Sequence, residues 1–163
     1  MRKTLVIGYG NPLRSDDGVG RRAAEALFSE WPEDAVQVES VSQLTVEMAE
    51  EASRSALAVF IDADWGGVPG RIRSHQVYPE NHTTASLTHY LTPPVLLAIA
   101  QQLYGRAPEA VMISMGGGSF DHGEALSPSV SAAFPDLVNH VKRLVQKHAW
   151  AKNSKMIEVE SHA

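Results

Sequence analysis

Residues 4–27 constrain the fold more than any other part of this 163-residue chain. They begin with an apolar run, continue through a turn containing Gly8 and Gly10, and end in a segment with helical spacing. A continuous apolar run without alternation predicts a strand buried on both faces, as in a parallel sheet. The glycines suit a tight turn or a close backbone approach at the carboxyl end of that strand. In open α/β sheets ligands bind at that edge, so this segment predicts both a fold class and the place of a site.

The rest of the chain continues the alternation of apolar runs and amphipathic segments. Further strands are predicted at residues 35–39, 56–61, 71–78 and 110–115, with 71–78 at one edge of the sheet. Helices are predicted at residues 44–51, from Thr92 to Gly105, and from Ser127 to Trp150, the last broken or kinked at Pro135. We therefore expect one domain over residues 1–150, a three-layer α/β/α sandwich with a mostly parallel twisted sheet of about five strands. Residues 151–163 are expected to form a frayed tail.

Composition limits the chemistry that is available. The net charge is −5 and no basic cluster occurs, which argues against nucleic acid as a partner. No apolar run has the length of a membrane span or the form of a signal peptide, so we expect a cytoplasmic protein without a membrane partner. The absence of cysteine excludes disulfides, thiolate ligands and a cysteine nucleophile. Carboxylates, histidines and hydroxyls must therefore carry any reaction.

Polar residues follow the predicted strands at the edge where a parallel sheet presents ligands. Asp16 and Asp17 follow the first strand, Asp62 and Asp64 end the central strand, and His89 precedes a helix. Two carboxylates and one imidazole form an oxygen and nitrogen donor set that suits a divalent metal such as zinc or nickel. Such a set leaves coordination positions open for water or an incoming ligand. The spacing therefore predicts a metal site at this edge.

Each of these residues also has a simpler interpretation. Asp17 is placed to act only as a helix cap, Asp64 to act as a loop residue, and His89 to make an ordinary polar contact. Asp62 directly follows a buried strand, where an unpaired carboxylate is costly, and this favours a functional role.

Other motifs are absent or incomplete. Leu13 stands where a dinucleotide-binding fingerprint requires its third glycine, and no phosphate-binding loop or nucleophile elbow occurs. A second polar cluster, Asp121, His122 and Glu124, is interpreted as loop hydrogen bonding ahead of the helix that begins near Ser127.

Four segments together resemble the hydrogenase maturation protease family, the endopeptidases that trim the large subunit of nickel–iron hydrogenases. They are residues 8–20, the apolar strand that ends in Asp62 and Ala63, residues 89–93, and residues 123–128. The resemblance covers roughly the first 150 residues and implies an α/β/α sandwich. Matched motif by motif, it implies that Asp17, Asp62 and His89 are both the metal ligands and the catalytic residues, with Asp16 as a competitor for the first position. We expect substrate contacts from the same first motif: Gly10, Asn11 and Asp16.

The resemblance also implies a substrate, a hydrogenase large-subunit precursor that already carries nickel. The nickel belongs to the substrate, and zinc or cadmium is expected to substitute for it. Three roles of the metal stay open: it polarises the scissile carbonyl, it lowers the pKa of a bound water, or it serves recognition while a carboxylate activates water. Two alternative functions also stay open, a non-catalytic metal-recognition or chaperone module and a small-molecule hydrolase or nucleotide-binding domain on a similar sandwich.

Overall fold

A five-stranded, mostly parallel sheet lies at the centre of the protein. The computed structural model describes residues 2–81 and 91–161. The strands are β1 (Thr4–Tyr9), β2 (Val36–Val41), β3 (Leu57–Asp64), β4 (Ile72–Gln76) and β5 (Glu109–Gly116). Their spatial order is β2-β1-β3-β5-β4, and only β4, at one edge, runs antiparallel to its neighbour. The predicted fold class and the edge position of the fourth strand are confirmed.

Helices cover both faces of the sheet. They are α1 (Val19–Leu27), α2 (Met48–Arg54), α3 (Pro93–Tyr104) and α4 (Pro128–Ser161), with a short 3-10 helix at Ser15–Gly18 ahead of α1. Val59 and Ile61 of β3 pack with α1 and α4, whereas Ala58 and Phe60 pack with α2 and α3. This alternation gives the three layers. Within the two described ranges, no helix has both the length and the apolar character needed to cross a membrane.

Two predicted helix boundaries were wrong. The helix α2 begins at Met48 rather than at residue 44, and α4 continues through Pro135 to Ser161 rather than ending near Trp150. Buried residues on both sides of Pro135 hold α4 against the sheet: Val130, Leu137, Val141 and Val145. The predicted frayed tail also differs from the structure, since residues 151–161 are helical and mostly exposed. That stretch contains alanine, lysine, methionine and glutamate and lacks glycine and proline, a composition that favours helix.

The helix α1 lies unusually close to the central strands. A Cβ built on Gly8 of β1 would lie 2.0 Å from the carbonyl oxygen of Gly20, and one built on Gly20 would lie 2.2 Å from the carbonyl oxygen of Ile61. Only glycine allows these backbones to approach so closely. The contact brings the turn that contains Asp17 over the carboxyl ends of β1 and β3.

The order of the strands creates a crevice between β1 and β3. The chain moves outward from β1 to β2 through α1 on one face, then returns past β1 to β3 through α2 on the opposite face. The connection that leaves β1 and the connection that enters β3 therefore lie on opposite faces of the sheet, which leaves a gap between the carboxyl ends of these two strands. Open α/β sheets bind ligands in such crevices, outside the carboxyl ends of the strands.

Candidate functional site

A pocket of about 660 Å³ occupies this crevice. Its walls come from the turn after β1, the segment after β2, the end of β3, and Leu91 just ahead of α3. Both Asp17 and Asp62 line it, together with Gly10 and Asn11. The structure thus brings together two carboxylates that are 45 positions apart in the sequence.

Asp17 is fixed by two hydrogen bonds to its carboxylate. The backbone N–H of Asn11 donates to Oδ2 at 2.8 Å, and the indole N–H of Trp65 donates to Oδ1 at 2.9 Å. Gly10 is in the left-handed region at φ +139°, and a Cβ there would lie 1.9 Å from the carbonyl oxygen of Asp17. Each carboxylate oxygen has two lone pairs, so each keeps one for a cation. The simpler interpretation of Asp17 is wrong, since the N-cap of α1 is Gly18 and receives no side-chain cap hydrogen bond.

Asp62 lies partly buried near the end of β3 and makes two hydrogen bonds. The N–H of Ala63 donates to its Oδ1 at 2.8 Å, and the hydroxyl of Tyr9 is a second partner. Burial raises the pKa of Asp62 to about 7, and the negative charges of Asp17 and Asp64 add to that effect. Burial, followed by the charge and hydrogen bond of Asp62, also raises the pKa of the Tyr9 phenol. The ionised form of Asp62 is therefore disfavoured mainly by burial and to a lesser extent by two neighbouring carboxylates.

A divalent cation suits this arrangement. Carboxylate oxygens are ligands for hard and borderline metals, and a cation between Asp17 and Asp62 relieves their repulsion. Because a ligand carboxylate must lose its proton to bind metal, affinity is expected to increase as the pH rises through 7.

The raised pKa of Asp62 predicts a stability effect in the metal-free protein. Because the ionised form of Asp62 is disfavoured in the folded state, its ionisation lowers the free energy of unfolding. This destabilisation is absent below the unfolded-state pKa of about 3.9, grows as the pH rises, and is complete above about pH 7. Asp62→Asn should therefore stabilise the protein at pH 8, by about 2 kcal/mol after allowance for partial exposure. Thermal unfolding at pH 8 and pH 5 measures this. A gain that is as large at pH 5 as at pH 8 contradicts the assignment.

Asp16 does not contact the pocket, and its predicted role in substrate binding is corrected. Its side chain is fully buried, at 0% exposure. The backbone N–H groups of Gly118 and Ser119 donate to Oδ2 at 2.7 and 2.9 Å, the Ser127 hydroxyl donates to Oδ2 at 2.6 Å, and the Ser127 N–H donates to Oδ1 at 2.7 Å. Burial acts to raise the pKa of Asp16, but these hydrogen bonds outweigh it and lower the pKa. Asp16 joins the loop between β5 and α4 to the turn after β1, so it does not compete with Asp17 for a metal.

His89 lies outside the described residues, so its predicted role as the third ligand stays a prediction. Within residues 2–81 and 91–161, no group of three histidine, aspartate or glutamate side chains is arranged to hold a metal ion. Asp17 and Asp62 are the part of the predicted donor set that the structure describes. Leu91, two positions after His89 in the sequence, lines the same pocket.

Sequence reasoning missed several pocket residues. Tyr9 occupies the variable position between two motif glycines, and the register of Gly8 with Ile61 places it beside Asp62 on the neighbouring strand. Trp65 is a large aromatic residue in a segment otherwise typical of a turn, which is a usable signal in retrospect. The remaining missed residues follow β2 or lie in the first turn: Ser42, Gln43, Leu44 and Arg14.

Fold and site together define an α/β/α protein with an acidic pocket at the point where the strand order reverses. Its architecture matches that of hydrogenase maturation proteases. The similar structures include the hydrogenase maturating endopeptidase HybD from E. coli, with a TM-score of 0.71, 20% identity, and coverage of 90% of this chain and 93% of that one. The maturation protease HycI from Thermococcus kodakarensis has a TM-score of 0.70, 21% identity, and coverage of 89% and 93%.

A third similar structure has a somewhat higher identity. The hydrogenase 2 maturation peptidase from a Thaumarchaeota archaeon has a TM-score of 0.65 and 26% identity, with coverage of 89% of this chain and 99% of that chain. No protein-family model and no curated protein matches the sequence. The chain therefore has the fold of the hydrogenase maturation proteases over nearly the whole length of these structures, and this is the fold that the resemblance of its motifs implied.

Proposed function

We propose that this protein is an endopeptidase that removes the C-terminal extension of a nickel-loaded hydrogenase large-subunit precursor. The observation that carries the proposal is the meeting of Asp17 and Asp62 in one pocket of a fold shared with named hydrogenase maturation proteases. The pocket is open to a protein substrate, since Trp65 at its wall is 58% exposed. Action on a cytoplasmic precursor belongs to the same proposal.

In this proposal, Asp17, Asp62 and His89 bind the nickel of the precursor, which is part of the substrate. Binding holds the nearby C-terminal peptide bond at a fixed position relative to the pocket, and such positioning removes much of the entropic barrier to reaction. Burial raises the pKa of Asp62 to about 7 in the metal-free pocket, so Asp62 gives up its proton when it binds the nickel near neutral pH. Zinc and cadmium are the metals to try in place of nickel, because both accept oxygen and nitrogen ligands.

The test uses the purified full-length protein with two forms of one precursor, one loaded with nickel and one free of it. Mass spectrometry should show loss of the C-terminal extension from the nickel-loaded form only. Stable binding of the loaded precursor without any loss of mass would instead identify a non-catalytic recognition module. Equal cleavage of both forms would remove nickel from the proposal.

A further inference from the structure

Trp65 supplies the side-chain hydrogen bond that holds Asp17, as the Tyr9 hydroxyl does for Asp62. It follows β3 in the segment that leads away from Asp62 and Asp64, and its side chain is 58% exposed. Its indole N–H nevertheless donates to Oδ1 of Asp17 at 2.9 Å. A large, exposed aromatic residue is thus tied by its polar atom to the pocket.

The indole ring is held in this position by two neighbours. Phe120 stacks on it with ring centroids 3.9 Å apart and an angle of 15° between the planes. The guanidinium carbon of Arg14 lies 5.6 Å from the centroid of the Trp65 ring, and Arg14 Nε donates to the carbonyl oxygen of Phe120 at 3.1 Å. Stacking and cation–π contacts of this kind are attractive. Three loops, those after β1, β3 and β5, therefore fix one ring.

Phe120 is in turn supported from behind by backbone. A Cβ on Gly117 would lie 2.2 Å from Cζ of Phe120, so the tip of the ring occupies the space that any larger residue at Gly117 would need. Phe120 is also half-buried against the core formed with α1 and α4. The stacked pair of Trp65 and Phe120 is therefore anchored to the end of β5, although Trp65 itself is exposed to solvent.

We propose that Trp65 is a positioning residue that holds the Asp17 carboxylate in the orientation required to bind the substrate's metal. This inference rests on the proposed function. With Trp65 on Oδ1 and Asn11 on Oδ2, rotation of the carboxylate is restricted, and one lone pair on each oxygen stays available. Partners that orient a metal ligand commonly control affinity or activity by about 10- to 100-fold. An indole is well suited to this task because its N–H only donates and its ring offers a face on which Phe120 stacks.

Kinetics of precursor processing test the proposal. Trp65→Phe keeps an aromatic ring for Phe120 and Arg14 but removes the donor. The variant should lower kcat/KM for the nickel-loaded precursor by about 10- to 100-fold, because Asp17 is no longer held in the orientation that binds the metal of the substrate. The matched control is Trp150→Phe, which alters a tryptophan that is 72% exposed on α4 and should leave kcat/KM unchanged. An unchanged kcat/KM overturns the proposal. So does an equal loss of affinity for the nickel-free precursor, which would make Trp65 a docking surface for the peptide.

A second measurement does not depend on processing. The three tryptophans give three indole N–H signals in a proton–nitrogen NMR spectrum, and Trp65→Phe identifies the one of interest. In the wild type this signal should exchange with solvent more slowly than that of Trp150, and Asp17→Ala should shift it and abolish the protection. If the signal is unprotected or insensitive to Asp17→Ala, the proposal is overturned. If the wild type processes no precursor, the proposed function fails, and the NMR result still decides whether Trp65 holds Asp17.

Discussion

Asp62→Asn is expected to abolish processing of a nickel-loaded precursor. The substitution keeps the shape of the side chain and an oxygen able to accept the Ala63 N–H, but it replaces an anionic carboxylate with a neutral amide, which is a much weaker ligand for nickel. Loss of a direct ligand should exceed the roughly 10- to 100-fold cost of changing a residue that only supports one. The measurement is the time course of C-terminal mass loss, with unprocessed precursor accumulating in cells that carry the variant.

Two comparisons make this result specific. Asp34→Asn removes one exposed carboxylate ahead of β2, outside the pocket, and should process the precursor normally. Asp62→Asn should also be at least as stable as the wild type at pH 8, because the raised pKa of Asp62 reflects a penalty for its ionised form. If the variant is folded and more stable but inactive, Asp62 acts in metal binding or catalysis and not in folding. If the variant processes the precursor normally, Asp62 is not part of the site.

Asp16→Asn is expected to destabilise the fold more than any other single carboxylate change considered. All the groups that contact the two oxygens of Asp16 are donors, so the amide NH₂ of asparagine must face at least one backbone or hydroxyl donor. Unsatisfied buried donors and a lost charge together cost about 3 to 5 kcal/mol. For a chain of this length the thermal midpoint should fall on the order of 10 °C. Calorimetry or circular dichroism at pH 7 measures the shift.

The effect of Asp16→Asn should also depend on pH, in the opposite sense to that of Asp62→Asn. The folded-state pKa of Asp16 is lowered, so its contribution is complete above the ordinary aspartate pKa of about 3.9 and is lost as the pH falls through the folded-state value. The difference between wild type and variant should therefore shrink below about pH 4. The control is Asp121→Asn, which changes an exposed carboxylate in the same loop and should leave the midpoint nearly unchanged.

Most of the fold could be predicted from local patterns. Continuous apolar runs identified β1, β3 and β5, because strands buried on both faces need them, and Gly105 correctly marked the end of α3 with a left-handed φ of +75°. The errors occurred where contacts between distant parts of the chain determine where a helix begins or ends. Pro135 looks like a helix breaker in isolation, but Val130 and Leu137 hold α4 on the sheet at either side of it.

The site was only partly predictable for the same reason. Asp17 and Asp62 follow strands whose neighbouring positions can be inferred from topology, so their meeting could be expected. Asp16 and Asp17 are adjacent in the sequence and chemically identical, and their roles differ only because their side chains point in different directions. Asp16 is buried and hydrogen-bonds the loop after β5, whereas Asp17 lines the pocket. The contact between Trp65 and Phe120 joins loops 55 positions apart and leaves no periodic signal.

The crevice between β1 and β3 follows from how the chain is routed rather than from which side chains surround it. Sequence drift in a lineage can therefore replace most of the lining while the cleft itself persists, which agrees with TM-scores near 0.7 at about 20% identity. Changes at exposed rim positions such as Ser42 and Gln43 cost the fold little, whereas Leu44 also lines the pocket but is buried in the core with α2 and α3. Under the proposed function, substitutions at Ser42 and Gln43 are the ones expected to change which precursor is accepted while the fold stays intact.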